Sequence, residues 1–406
     1  MPIFLVMMTI IALIVGIARY LVGAIMRISH PNVGVIKDYS YTPSLSILLP
    51  AFNEGRAVYS TVESISHSDY PGKIDMIVTD DCSGDDTAEW LAKAAVDFPN
   101  VRAFYNNPNL GKTQTILNAL AHSDSEIVMI VDSDTTLGPT CIRELMACLG
   151  DKRLGGVGAP AIVRNPNDNA LTAFQVFIYF LGFQLYKQPE NAMRMVGVIG
   201  GYAFALRREA FEQLRPELES RNWFGVQVKD GEDRFITHCL LLNGWGTYMD
   251  EKAVCYTAVP NTFTKYWGQQ LRWRRTTIRD FFFSVRHVHT HIHKLGVKSL
   301  YVYILTPLVL FISILQIALL FAGYPGAWLD PNRALIFFGY GFLVFCLVRK
   351  FTPSQSVRHP LKLLVYSTWW IVNSLLLAPL AIFTLDSGDW GNRTLKPKVR
   401  KSNDSV

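Results

Sequence analysis

The chain has 406 residues, of which half are hydrophobic and only 18% are charged, against about 25% in a typical soluble domain. Its mean hydropathy is +0.19. These values exclude a disordered chain and argue against a purely water-soluble protein. The net charge of +6 is modest, and no nucleic-acid-binding motif accompanies it, so nucleic acid is not an expected partner.

Long apolar segments divide the chain into membrane-embedded and water-exposed parts. Residues 3–26 form an apolar run long enough to cross a bilayer, and the positive charges that follow it place the next segment in the cytosol. We therefore expect a multi-pass protein of the plasma membrane with a large cytosolic domain and the lipid bilayer as a partner. The expected segments are an N-terminal transmembrane helix at 1–27, a linker at 28–43, a cytosolic domain at 44–262, basic interfacial helices at 263–298, a transmembrane and interfacial channel region at 299–385, and a basic cytosolic tail at 386–406.

The last apolar run, 363–385, contains Pro379. A proline removes a backbone hydrogen bond and clashes with the preceding turn, so we expect the helix to break at this position. Residues 379–385 would then return to the cytoplasmic face, where the basic tail also belongs.

Between residues 44 and 160, short β-branched runs alternate with amphipathic segments. The predicted strands are 44–50, 73–80, 101–107 and 126–134, and the predicted helices are about 56–67, 85–97 and 112–122. This alternation predicts an α/β domain with a mostly parallel sheet covered on both faces. Ligands of such sheets bind at the carboxyl ends of the strands, where three of the predicted runs end in polar or acidic residues.

The residues after the fourth predicted strand indicate a metal and diphosphate site. Asp132 and Asp134 leave a hydrophobic run with one serine between them. Two such carboxylates suit Mg²⁺ or Mn²⁺ shared with a diphosphate, although the motif alone also fits an ordinary acidic loop. Asp80 and Asp81, at another strand end, can accept hydrogen bonds from a base or ribose, and Lys112 can contact phosphate.

Two motifs further along the chain carry candidate catalytic residues. Glu232 and Asp233 precede an apolar helix, where a carboxylate is suited to deprotonate an acceptor hydroxyl but also favours the helix N-terminus. Gln269, Arg272 and Trp273 share one helix face. An indole there can stack on a sugar, and an arginine can hold a phosphate; an interfacial helix with its aromatic residues at headgroup level is the alternative.

Together these motifs resemble the processive family-2 glycosyltransferases, the group that contains hyaluronan, chitin and cellulose synthases. The matching elements are PAFNE at 50–54, TDDCSGDDT at 79–87, NLGKT at 109–113, DSD at 132–134, GEDR at 231–234, QQLRW at 269–273 and DWGNR at 389–393. GEDR and the short chain resemble hyaluronan synthases and nodulation chitin-oligosaccharide synthases more than cellulose synthases. Two departures leave the sugar open: Asn392 replaces a threonine of the family's Trp-Gly-Thr-Arg element, and 197–208 lacks the family's cysteine- and proline-containing version.

The resemblance implies a GT-A-like domain inserted between transmembrane helices, a divalent ion (Mg²⁺ or Mn²⁺), and UDP-sugar donors, namely UDP-GlcNAc and, for a hyaluronan-like product, UDP-GlcA. It makes Asp233 the general base, with Glu232 and Arg272 as its catalytic neighbours. Asp132 and Asp134 would hold the metal. The residues expected to contact donor or acceptor are Pro50, Ala51, Asn53, Glu54, Asp80, Asp81, Lys112, Asp132, Gln269, Arg272, Trp273, Trp390 and Arg393, the last two in a loop that gates the donor pocket.

The expected function is therefore an inverting polymerase that joins UDP-sugars into a β-linked, hyaluronan-like polysaccharide and passes the growing chain through its own membrane channel. A chitin-oligosaccharide or capsule polysaccharide synthase is an alternative within the same class. A non-processive lipid glycosyltransferase is another, although such enzymes usually lack QxxRW. A transporter or scaffold with an inactive nucleotide-binding domain would need neither the three acidic sites nor QxxRW.

Overall fold

The computed structural model describes Met7 and residues 34–228, 231–296, 299–305 and 360–385. Packing divides the chain into two compact units, which are described separately. Unit 1 comprises Met1–Gly34, Asn165–Gly197 and Val259–Ser387, and unit 2 comprises Val35–Arg164, Val198–Ala258 and Gly388–Val406. The N-terminal transmembrane helix predicted at 1–27 (apart from Met7), most of the apolar stretch between 306 and 350, and the predicted gating residues Trp390 and Arg393 lie outside the described residues. The predicted segment boundaries stay predictions.

The strands lie in unit 2. In chain order they are β1 (Leu45–Ala51), β2 (Ile74–Asp80), β3 (Val101–Tyr105), β4 (Ile127–Val131), β5 (Thr136–Leu137), β6 (Leu154–Gly158), β7 (Ala161–Val163), β8 (Ala203–Arg207), β9 (Asn222–Trp223), β10 (Val226–Gln227), β11 (Gly246–Met249) and β12 (Cys255–Thr257). Seven of them form one sheet in the order β11-β6-β8-β4-β1-β2-β3. Only β8 runs antiparallel to its neighbours in this sheet. The prediction of an α/β fold with a mostly parallel sheet is confirmed.

Burial explains why β1 and β4 lie in the middle of the sheet. All five residues of β4 and six of the seven residues of β1 are buried, as expected for strands of a parallel sheet that is covered on both faces. The register places Leu45 opposite Ile127 of β4 and Ala51 opposite Asp80 of β2. The carboxyl ends of β1, β2 and β4 therefore meet at one edge of the sheet.

Helices connect the strands of unit 2 and also build unit 1. In chain order they are α1 (Ala57–Ser66), α2 (Thr87–Asp97), α3 (Lys112–Leu120), α4 (Cys141–Leu149), α5 (Ala170–Phe180), α6 (Lys187–Met193), α7 (Arg208–Glu219), α8 (Glu232–Leu242), α9 (Phe263–Arg286), α10 (Val288–Leu295) and α11 (Pro360–Ile382). A π-helical turn, Leu181–Leu185, lies between α5 and α6. Among the described residues, no helix combines the length and apolar character that a membrane crossing requires.

The helix that contains Pro379 does not break there, and the expectation of a break is wrong. Helix α11 continues past the proline to Ile382. The Pro379 carbonyl accepts a hydrogen bond from the Phe383 N–H at 3.2 Å, so the turn around it is closed. The proline lies in the last turn of the helix, where little helix remains after it to be deflected. Further back, the Asn373 amide donates to the Tyr266 hydroxyl at 3.0 Å and ties α11 to α9 in the interior of unit 1.

Candidate active site

The loops after β1 and β2 are joined by hydrogen bonds at the carboxyl edge of the sheet. Asn53 follows β1 in a left-handed conformation with φ 55°. Its backbone N–H donates to the Ser83 hydroxyl at 2.9 Å, and its side-chain oxygen accepts from the Gly84 N–H at 2.8 Å. The Glu54 N–H donates to the Thr87 hydroxyl at 2.9 Å. The predicted donor-contacting residues at the end of β1, including Pro50 and Ala51, therefore lie beside those at the end of β2.

Asp81 organises the loop that leads to Lys112. One of its carboxylate oxygens accepts from the Asn106 amide at 2.8 Å and from the Leu110 N–H at 2.9 Å, and the other accepts from the Gly111 N–H at 2.8 Å. The preceding residue, Asp80, accepts hydrogen bonds from the backbone and the hydroxyl of Ser83. Both carboxylates thus have partners inside the protein, and their predicted contact with uridine stays a prediction.

Lys112 connects two of the predicted acidic motifs. Its ammonium group lies 2.6 Å from Asp132 Oδ1 and 2.5 Å from Glu232 Oε1. Asp132 follows β4, Glu232 opens α8 and Lys112 opens α3, so three different elements place these charges together. The Lys112 and Glu232 side chains are 11% and 4% exposed, whereas Asp132 keeps 28% of its surface open. Of the two carboxylates, Asp132 is the one that solvent or a ligand can reach.

The charges in this cluster shift one another's pKa values. Burial lowers the pKa of Lys112, but the charges of Asp132 and Glu232 outweigh it and raise the pKa above its ordinary value. Burial favours the neutral form of Glu232, but Lys112 holds its pKa below the usual range. Burial raises the pKa of Asp132 to about 6; Lys112 opposes this shift, and the nearby charge of Asp134 adds to it. Lys112 and Glu232 therefore form a charged pair, while Asp132 holds its negative charge less readily.

The residues after β4 fit a divalent cation shared with a phosphate ligand. Asp132 already contacts a cation, the Lys112 ammonium, and Asp134 lies close enough for its charge to act on Asp132. Within the described ranges, no three His, Cys, Asp or Glu side chains converge into a group that could hold a metal ion. Magnesium in nucleotide enzymes is typically held by one or two carboxylates and completes its coordination with phosphate and water oxygens. Asp132 and Asp134 suit that arrangement.

Asp233 lies next to Glu232 but in different surroundings. Glu232 is 3% exposed and occupied by Lys112, whereas Asp233 is half-buried and one of its oxygens accepts from the Arg234 N–H at 2.8 Å. The other oxygen faces Gly201, where a Cβ atom would lie only 3.2 Å from it. Of these two carboxylates, Asp233 is therefore the one placed to accept a proton from a ligand.

The segment before β8 links the two acidic motifs. The Asp132 N–H donates to the Tyr202 carbonyl at 3.0 Å, and the Ile199 N–H donates to the Thr237 hydroxyl on α8 at 3.2 Å. Between these two contacts lies Gly201, against the Asp233 carboxylate. The sequence prediction for 197–208 was a departure from the family pattern at the acceptor site, and it did not include this contact with Asp233. The paired glycines directly before a strand were the signal that could have revealed it.

Arg221 is a further residue that sequence analysis missed. Its guanidinium lies 4.7 Å from the Phe235 ring centroid, and its positive charge favours the ionised form of Glu232. The side chain is 8% exposed. Glu232 thus has two basic neighbours, Lys112 and Arg221.

The QxxRW residues lie in unit 1, on helix α9. Trp273 packs in an aromatic group with Tyr179, their ring centroids 6.1 Å apart, and Tyr179 contacts Phe183 of the π-helical turn at 5.3 Å. The Gln269 side-chain oxygen is buried and has no hydrogen-bond partner among the described residues. The predicted roles of Gln269, Arg272 and Trp273 toward diphosphate and acceptor stay predictions.

Part of the chain is similar to a known protein family. Residues 46–215 match the model of the family described as glycosyl transferase family 2. An N-acetylglucosaminyltransferase from Mesorhizobium japonicum is 28% identical over 374 residues, which cover 90% of this chain and 85% of that protein. An N-acetylglucosaminyltransferase from Sinorhizobium fredii is 28% identical over 366 residues, which cover 86% of this chain and 84% of that protein.

A solved structure shares the fold. It is a mannosyltransferase from Pyrobaculum calidifontis in complex with GDP-Man and Mn²⁺, with a TM-score of 0.57 and 20% identity, covering 90% of this chain and 99% of that one. Residues 46–215 are therefore similar to glycosyl transferase family 2 domains, and the fold of the chain is a GT-A-like α/β fold.

Proposed function

We propose that this glycosyltransferase transfers N-acetylglucosamine from UDP-GlcNAc to the end of a growing β-linked saccharide, with inversion at the anomeric carbon. The observation that carries the proposal is the convergence of Lys112, Asp132 and Glu232 at the carboxyl edge of the sheet. In this proposal Lys112 binds phosphate, Asp132 binds the metal, and Glu232 opens the helix that carries the candidate base.

The relatives support the choice of sugar. Proteins from Mesorhizobium japonicum and Sinorhizobium fredii that align with more than four fifths of this chain are N-acetylglucosaminyltransferases. A GlcNAc donor alone leads to chitin-type oligomers. The hyaluronan-like product predicted from the sequence requires UDP-GlcA as a second donor.

Asp233 is the proposed base. It takes the proton of the acceptor hydroxyl, whose oxygen forms a bond to the anomeric carbon while the bond from that carbon to the diphosphate breaks and UDP leaves. Attack opposite the leaving group inverts the anomeric centre and gives a β-linkage from an α-linked donor. Glu232, buried against Lys112, is a positioning residue in this scheme: it holds the lysine and the start of α8 in place.

Asp132 and Asp134 would hold Mg²⁺ or Mn²⁺ together with the donor diphosphate. The bound ion supplies positive charge that stabilises the leaving diphosphate, and the Mn²⁺ of the related mannosyltransferase complex supports this choice. Lys112 adds a second positive charge within reach of the same phosphates. Asp81 fixes the loop that presents Lys112.

Processive synthesis at the plasma membrane is part of the same proposal. QxxRW on α9, the apolar segments of the sequence and the basic block next to them support a membrane enzyme with a cytosolic catalytic domain that secretes its product. In this proposal, Gln269, Arg272 and Trp273 bind the diphosphate and the acceptor end.

The test is UDP release by purified full-length protein with each donor alone and then with both. Release from UDP-GlcNAc alone, unchanged by UDP-GlcA, is expected for GlcNAc transfer and excludes a hyaluronan product. Release that requires both donors would instead establish the alternating polymer. No release with UDP-GlcNAc in any combination would overturn the proposal.

A further inference from the structure

We infer that Lys112 is a stand-in cation for the divalent metal at Asp132: the lysine occupies this carboxylate until the metal binds, and Glu232 then retains the lysine. The inference rests on the proposed function, because it concerns the metal that serves the diphosphate. In this inference, Lys112 and Glu232 together control which cation Asp132 binds.

The geometry of Lys112 carries the first step. Its ammonium group bridges Asp132 Oδ1 at 2.6 Å and Glu232 Oε1 at 2.5 Å, with 11% of the side chain exposed. A metal bound to Asp132 would bring two further positive charges to a carboxylate whose Oδ1 already contacts the Lys112 ammonium. At such distances in a poorly solvated site, like charges repel strongly, so the metal and the ammonium compete for this carboxylate.

The second step is that Lys112 has another carboxylate partner, Glu232. Glu232 is 4% exposed and lies 2.5 Å from the Lys112 ammonium, and separating so buried a carboxylate from its nearest cation is costly even with Arg221 nearby. Lys112 can therefore release Asp132 while its contact with Glu232 remains. Asp132 is the exposed member of the pair and has Asp134 beside it, so the incoming ion meets the carboxylate that is easier to reach.

The consequence is a link between metal and nucleotide binding. Without nucleotide, Lys112 holds Asp132 and the metal binds weakly. When a nucleoside diphosphate brings phosphate oxygens for both cations, Lys112 would release Asp132, which could then hold the metal, and the lysine could turn to phosphate.

The experiment measures Mn²⁺ binding to the full-length protein by electron paramagnetic resonance of the free ion, with and without UDP, at fixed ionic strength. Lys112→Met removes the competing cation and should tighten Mn²⁺ binding without UDP by roughly tenfold, the size expected for a charged hydrogen bond. Glu232→Gln should weaken Mn²⁺ binding without UDP, because Asp132 is then the remaining carboxylate partner of Lys112. Lys112→Arg keeps the positive charge, and its Mn²⁺ affinity should be close to that of the wild type.

In Lys112→Met, Mn²⁺ binding could tighten because Lys112 no longer competes for Asp132, or because Glu232 becomes an additional ligand. The double variant Lys112→Met with Glu232→Gln distinguishes these two causes. It carries neither the lysine nor the second carboxylate, so tightening that persists comes from Asp132 itself. It also replaces Lys112→Met if that single variant fails to fold by circular dichroism.

Unchanged or weaker Mn²⁺ binding in both Lys112→Met and the double variant, while wild type still binds Mn²⁺ in the presence of UDP, would overturn this role of Lys112 and leave the proposed function intact. Absence of Mn²⁺ binding by wild type and all variants, with or without UDP, would overturn the exchange of cations at Asp132, while UDP release from UDP-GlcNAc tests the proposed function separately.

Discussion

The Asp233 carboxylate lies where a side chain on Gly201 would project. A Cβ atom at this glycine would lie 3.2 Å from Asp233 Oδ2 and 3.4 Å from its Cγ. Such contacts are tight enough to push the carboxylate by a few tenths of an ångström. Because proton transfer depends strongly on geometry, we expect Gly201→Ala to lower kcat roughly tenfold while UDP affinity changes little.

The matched control is Gly182→Ala, since a Cβ at Gly182 meets no atom within 4 Å. Steady-state kinetics on both variants separate local displacement from a general effect of alanine. Wild-type kcat in Gly201→Ala would show that the Asp233 position does not limit the reaction.

Asp233→Asn should keep the fold and UDP binding but lower transfer by about 10²–10⁴-fold, the usual contribution of a general base. An amide at the same place cannot take up the hydroxyl proton. Glu209→Gln is the control, because Glu209 is an exposed acid in the first turn of α7. Near-normal turnover of the Asp233 variant at saturating donor would remove Asp233 as the base.

Asp81→Ala should loosen the loop that ends at Lys112. It leaves the N–H groups of Leu110 and Gly111 without their acceptor, and each lost charged hydrogen bond costs about 1.5–3 kcal/mol. We expect faster hydrogen–deuterium exchange in the peptide spanning 106–112 and weaker UDP binding. Asp81→Asn keeps one acceptor oxygen and should show a smaller change, whereas wild-type exchange in Asp81→Ala would argue against this anchoring.

Lys37 should be important for the stability of unit 2. Its ammonium lies 2.5 Å from Glu144 and 2.6 Å from Asp250, whose side chains are 9% and 5% exposed. Lys37→Met leaves both carboxylates without this cation, and the free energy of unfolding should fall by about 3–5 kcal/mol near neutral pH. Lys37→Arg keeps the positive charge, and its free energy of unfolding should fall much less.

The pH dependence of that loss has a defined sign. Burial raises the pKa of Asp250, and Lys37 opposes the rise, so removing the lysine raises it further. A carboxylate whose folded-state pKa exceeds its unfolded value stabilises the fold as pH falls, because the folded protein takes up the proton. Denaturation curves should therefore show a smaller loss at about pH 5 than at about pH 8, and an equal or larger loss at the lower pH would contradict this explanation.

Local sequence patterns predicted the first half of the sheet closely. The runs predicted as strands at 44–50 and 73–80 are found at Leu45–Ala51 and Ile74–Asp80, and the helix predicted at 112–122 is found at Lys112–Leu120. Hydrophobic periodicity determines such elements locally. The same reasoning placed the acidic residues at strand ends, because parallel strands end at one edge of a sheet.

Other features depend on contacts between distant residues and have no local signal. The direction of β8, which is antiparallel between β4 and β6, is set by packing rather than by its own residues. The contact between Lys112 and Glu232 joins positions more than a hundred residues apart in sequence. Pro379 was misjudged because the effect of a proline depends on how much helix follows it.

Transfer of GlcNAc to a growing saccharide is tested by size-resolved analysis of labelled product from full-length protein supplied with radiolabelled UDP-GlcNAc and Mg²⁺ or Mn²⁺. We predict a ladder of oligomers that β-N-acetylglucosaminidase digests, that excess chelator abolishes and that Asp233→Asn fails to produce. Label found only as single sugars on lipid would contradict chain extension. Absence of any incorporated GlcNAc would contradict the proposed activity itself.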